Sequence, residues 1–238
     1  MDSLTRRSAG PLSPVAARTT RRRLRVGAVC WLLTAHIVAV ELVVASAWRA
    51  PYDFSVYYIS DLAATTCEMT KYPDGVYRWV CSPLHPLMNA SFIVVGVLVL
   101  TGLVLTHRFW PRGFLGTSGL AFVTIAGVGI IAFGFVPETV DNHLHVLIGL
   151  ADFPAQGLGM LLLGLSVRRA RPRVALYSVL CGAVNLVATA LYFDGDDVSF
   201  GIGVVERIAV DPFLFWLVGI GVAMLAVTRR QPVDGPGR

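Results

Sequence analysis

The sequence predicts an all-α membrane protein of six transmembrane helices with both termini cytoplasmic. Three observations carry that expectation. Six apolar runs, at 26–47, 87–106, 114–136, 145–167, 174–193 and 208–228, each reach about 20 residues or slightly more, which is what an α-helix needs to cross ~30 Å of hydrocarbon. A hydrophobic content of 55% with a mean hydropathy of +0.66 is unusual for a soluble domain. The third is charge: of 20 Lys plus Arg, 16 fall in the N-terminal tail, the 107–113 and 168–173 turns or the C-terminal tail, leaving Arg49, Lys71, Arg78 and Arg207 on the other side. Cationic loops stay in the cytoplasm, so loops 48–84, 137–144 and 194–207 are expected to face outward. No connection is long enough for a separate soluble domain. The organisation expected is a disordered Arg-rich cytoplasmic tail at 1–23, one membrane domain at 24–228, and a short disordered tail at 229–238.

Taken in order, span one follows Arg21–Arg25 and ends in Ala45-Ser46-Ala47, an imitation of a cleaved signal peptide. Its apolar region is longer than the usual ~7–15 residues and carries His36 and Glu41, so an uncleaved anchor is expected. The loop after it holds Cys67 and Cys81 in what would be an oxidising compartment. A bridge between them closes a loop of about 15 residues and contributes on the order of 3 kcal/mol. Cys30 and Cys181 lie inside spans and read as packing residues. Span two has His85 and Asn89 one turn apart at its outer end, and the glycines of spans three and four suit close helix packing. In span four His145, Gly149, Asp152 and Gln156 follow spacings of 4, 3 and 4, which places them on one helical face. Asn185, Thr189 and Tyr192 form a stripe in span five. Span six opens with Glu206 and Arg207, and Asp211 sits one turn on, spaced for an i,i+4 ion pair.

Twelve of the 15 Asp plus Glu lie in outer loops or outer helix halves. Polar stripes on several helices cannot all face lipid. The expectation is an outward-facing polar pocket above an apolar plug, with Asp61, His85, Glu138, His145, Asp152, Glu206, Arg207 and Asp211 as its residues. The competing reading satisfies each group separately, for example Arg207 by Asp211, His145 by Asp152 or a backbone carbonyl, and Asn185 by a neighbouring helix. His85, His143 and His145 raise metal binding, but His143 and His145 are two apart and point about 200° from one another within one helix. Neither H-E-x-x-H nor C-x-x-C occurs, so neither a metal nor a cofactor is expected. Ser60 and Ser82 lack a G-x-S-x-G context, and no Gly-rich phosphate loop is present. The net charge of +5 invites nucleic acid, but the basic residues sit at span ends, where they set topology. The partners expected are membrane lipids and a lipid or small-molecule ligand. Nineteen of the 20 basic residues are Arg, which suggests a GC-rich bacterial genome and hence the bacterial cytoplasmic membrane. The role expected is binding, transport or envelope support. The alternative is a membrane-embedded hydrolase or transferase acting on a lipid or envelope precursor, with Asp61, Glu138, His145 and Glu206 as acid/base or metal-binding groups.

Several short stretches form an ordered set: Tyr58-Ile59-Ser60-Asp61-Leu62, Ser82-Pro83-Leu84, Phe135-Val136-Pro137-Glu138, His145, and Glu206-Arg207 with Asp211-Pro212-Phe213. Over about residues 24–228 the chain resembles the bacterial membrane proteins grouped as domain of unknown function 998. The resemblance implies a six-helix membrane domain and brings no established activity or cofactor. The Cys67–Cys81 stretch makes the first outer loop longer than that group would lead one to expect.

Overall fold

The computed structural model describes residues 14–194 and 201–230 and contains six helical spans long and apolar enough to cross a membrane. The stretches 1–13 and 231–238, with Asp196 and Asp197, lie outside the described residues. The first span comprises α1 (Pro14–Leu33) and α2 (His36–Ser46). Residues 14–23, expected to belong to a disordered tail, are helical instead: Pro14 takes the first position and Ala and Arg, good helix formers, follow it. The break at Thr34–Ala35 has a local cause. The Thr34 hydroxyl donates to the Trp31 carbonyl at 2.6 Å, and the backbone N–H groups of Thr34, Ala35, Ile37 and Val38 bond three residues back.

Between spans one and two the chain forms a 3₁₀ turn at Ser60–Ala63 and a hairpin of β1 (Glu68–Lys71) and β2 (Tyr77–Val80). The hairpin turns through Pro73-Asp74-Gly75, where Gly75 takes a φ of +78° and the Asp74 carboxylate accepts from Val76 N–H at 2.9 Å. Cys67 and Cys81 are joined by a disulfide across its base. Then come α3 (His85–Thr106), α4 (Phe114–Phe135), α5 (Asn142–Val167), α6 (Pro172–Asp194) and α7 (Ile202–Arg230). The Asp141 side chain caps α5 by accepting from Leu144 N–H at 2.9 Å. Helix α7 starts before the apolar run does, so Glu206 and Arg207 are in the helix and not ahead of it.

Each of α3 to α7 packs on the next, and α1 lies against both α3 and α7, closing the six spans into a ring. One end of the ring carries the hairpin. At the opposite end, the arginine end, Arg25 reaches Thr228 at 3.4 Å and Arg171 donates to the Phe109 carbonyl at 3.0 Å. That end is filled by a core that includes Trp31, Val99, Trp110, Leu163, Trp216 and Met224. Trp216 stacks on Trp110 with ring centroids 6.0 Å apart and donates to Ser178 Oγ at 2.8 Å. Close approach needs small residues: a Cβ on Gly182 of α6 would come within 2.8 Å of the Gly157 carbonyl of α5.

Candidate functional site

The hairpin end is organised around a non-helical segment, 58–65, that folds back onto the helix ends. Its polar groups meet side chains from four other parts of the chain. Ile59 N–H donates to Glu206 Oε2 of α7, and the Leu62 and Ala63 carbonyls accept from Ser82 Oγ at 2.7 Å and Asn89 Nδ2 at 3.1 Å. Thr65 N–H donates to Thr139 Oγ1 at 2.8 Å, and Ser60 Oγ donates to Glu138 Oε2 at 3.0 Å. Asp61 has no exposed surface; its Oδ2 accepts from Tyr58 N–H at 2.7 Å and from the Tyr72 hydroxyl of the hairpin. Backbone buried outside a helix needs such partners, because it does not satisfy its own N–H and carbonyl groups.

Asp61 and Glu138 lie close enough for each to act on the other's ionisation. Asp61 Oδ1 and Glu138 Oε1 are both buried and without a hydrogen-bond partner. Burial pushes Asp61 up to about 6, against the pull of the Tyr72 hydroxyl. Burial, and then the Asp61 charge, push Glu138 in the same direction.

Arg207 is a separate hub. Its Nε and Nη2 donate to Glu41 Oε1 at 2.9 and 2.7 Å, Nη2 also reaches the Tyr52 hydroxyl at 2.8 Å, and Nη1 serves the carbonyls of Phe54, Tyr57 and Gly203. The i,i+4 pairing with Asp211 expected from spacing is not made. The guanidinium turns instead toward α2 and the 52–57 segment, where a carboxylate, a hydroxyl and two backbone oxygens take its donors. Gly203 makes this approach feasible, since a Cβ there would press into the Phe54 carbonyl at 2.6 Å.

Inside the ring is a cavity of about 350 Å³ whose walls come from all six spans and from residues 58–60. Four of the eight residues expected in a pocket line it: His145, Asp152, Glu206 and Asp211. Asp61 and Glu138 stand just behind Ser60, and Arg207 and His85 are not on the wall. His85 sits at the first position of α3, and its Nδ1 is buried without a partner. Aromatic side chains, among them Phe133, Phe153, Tyr192 and Phe213, cover much of the surface, so the wall is more apolar than the polar stripes imply. Asn185 donates to the Ala209 carbonyl of α7, as the competing reading has it. His145 Nδ1 faces the Val136 carbonyl at 2.7 Å. Tyr52, Tyr72 and Glu41 hold much of this end together, and none was among the residues expected in the pocket. Among the described residues no group of three or more His, Cys, Asp or Glu is disposed to hold a metal ion.

Fold and composition define an integral membrane protein of six spans enclosing a cavity near one end. Residues 32–223 match the family described as protein of unknown function DUF998, and the chain belongs to that family. No curated protein and no solved structure matches it.

Proposed function

We propose that the chain is a binding protein of the bacterial cytoplasmic membrane. Both termini are cytoplasmic, and the cavity at the hairpin end receives a small amphipathic molecule from the outer side. The observation that carries this reading is the cavity itself, bounded by all six spans and by the 58–60 segment, with His145, Asp152, Glu206 and Asp211 on an otherwise apolar wall. Its size falls in the range of small-molecule sites, roughly 300–1,000 Å³. Binding is favoured over transport because the tryptophan-rich core closes the arginine end and because α5 and α7 run unbroken through Pro154 and Pro212. The orientation rests on the arginine distribution and on a disulfide at the hairpin end, which suits an oxidising compartment.

The deciding experiment compares molecules that copurify with the wild type and with a Gly149→Phe variant, using unbiased mass spectrometry. A Cβ on Gly149 would meet only ordinary contacts, at 3.7 Å from Phe193 and 3.8 Å from Phe133, so a ring there fills the cavity without displacing backbone. A species present in the wild type and lost from the variant is expected. Equal recovery from both would sink the reading.

The neighbouring acids Asp61 and Glu138, with the Ser60 hydroxyl on Glu138, favour as a second reading a hydrolase or transferase acting on a lipid or envelope precursor. Its weakness is access: Asp61 is wholly buried and committed to Tyr58 and Tyr72.

A further inference from the structure

The polar side chains on the cavity wall include no cation, and apart from the Tyr58 and Tyr192 hydroxyls few of their donors are free. On α5 Gln156 Nε2 donates to Asp152 Oδ2 at 2.6 Å, which leaves Asp152 Oδ1 and Gln156 Oε1 buried and without partners. Asp152 is 1% exposed and Gln156 3%. In the neutral imidazole of His145 the proton resides on Nδ1, opposite the Val136 carbonyl, so Nε2 carries a lone pair. Glu206 takes one N–H from Ile59, and Asp211 has no hydrogen-bond or ion-pair partner among the described residues. No Lys or Arg lines the cavity, and the charge of Glu41 on its rim is matched by Arg207. Three carboxyls therefore remain without a cation, beside the aromatic side chains of Phe133, Phe153, Tyr192 and Phe213. What such a wall lacks is N–H donors with positive charge. An isolated carboxylate in hydrocarbon is costly, and a cation removes that cost while aromatic faces add attraction.

We propose that the cavity is a receptor for a protonated primary or secondary amine with a compact apolar body. Its ammonium bonds to the acceptors of α5 and α7, and its body lies against the aromatic side chains. This rests on the binding reading above and specifies its ligand. Anions are disfavoured by the carboxyls, and neutral alcohols supply too few donors.

The test uses the full chain in nanodiscs and two sets of probes that differ only in head group: n-hexylammonium, n-hexanol and n-hexanoate, and 2-phenylethylammonium, 2-phenylethanol and phenylacetate. Calorimetric binding is taken as the difference between wild type and the cavity-filled Gly149→Phe variant, which cancels partitioning into lipid. Each ammonium is expected to bind about tenfold or more tightly than its alcohol, and each carboxylate more weakly still. Asp152→Asn should abolish the preference; if that variant does not fold, the head-group series on the wild type decides alone. Alcohols or carboxylates binding as well as the amines would overturn the proposal and leave the cavity as a binding site for something else. A folded Asp152→Asn that keeps the preference would overturn it equally. If no probe separates wild type from Gly149→Phe, the proposal falls, and if no copurifying species does so either, the binding reading falls with it.

Discussion

The two ends of the ring are held together by different means. At the arginine end the helices touch directly, glycines bring backbones close, and Trp31, Trp110 and Trp216 fill the middle. At the hairpin end the chain leaves helical geometry between Ala47 and Leu84, and nearly every turn is fastened by a polar side chain from elsewhere. Helices in lipid satisfy their own backbones, so contact between them is a matter of shape. Irregular backbone exposes N–H and carbonyl groups that need partners, and Glu206, Asn89, Ser82 and Arg207 supply them. Carboxylates therefore gather where the fold is least regular.

The sharpest way to break this contrast is Arg207→Ala. It strips the donors from Glu41, Tyr52 and three carbonyls at once, and loss of one partner of a largely buried pair costs about 3–5 kcal/mol. Little folded protein should survive size-exclusion chromatography, whereas Arg207→Lys, which keeps the charge and loses the fork, should be recovered in part. Removing the bridge with Cys67→Ala and Cys81→Ala should lower thermal stability in detergent by about 3 kcal/mol. Free, alkylatable thiols in oxidised wild-type protein would refute that expectation. At the other end Leu163→Ala should cost less, about 2 kcal/mol, because lipid takes no penalty for apolar surface and packing is what is lost. A cost equal to that of Arg207→Ala would erase the contrast.

The smallest effect is on pH dependence. Burial and the neighbouring Asp61 raise Glu138 above its ordinary value of 4.5 in the folded protein, so above that value the folded state binds more protons than the unfolded state. Stability is then fully present below about 4.5 and declines as pH rises above it. Melting temperature followed from pH 5 to pH 8 should fall in the wild type and fall less in Glu138→Gln. An unchanged slope in the variant would show that Glu138 contributes nothing to it.

The spans were legible because some 20 apolar residues in lipid leave few alternatives to a helix. The start of α7 was not: Glu206 and Arg207 interrupt the apolar run, and hydropathy detects the hydrocarbon, not the helix that extends past it. The hairpin left one sign, Pro73-Asp74-Gly75, but Glu68–Lys71 and Tyr77–Val80 are too short for their alternation to stand out. Among the pocket residues, spacing on α5 placed His145 and Asp152 on the same wall, since i, i+3 and i+4 positions share a face. Spacing misled for Arg207, because its partner is 166 residues away. A usable sign was present: Glu41 is the one acidic residue in the first span, and Arg207 is the one basic residue in the 194–207 stretch.

The closure of the ring also has a consequence for biogenesis. Span one is the first of the six to emerge from the ribosome, yet one of its two neighbours is α7, the last. Through most of synthesis Glu41 sits in the bilayer without its guanidinium, and the 52–57 carbonyls wait for the same group. A chain released early is thus left with an open seam and an unmatched carboxylate at membrane depth. The arrival of α7 closes the seam by packing on α1, and its Arg207 pairs the carboxylate.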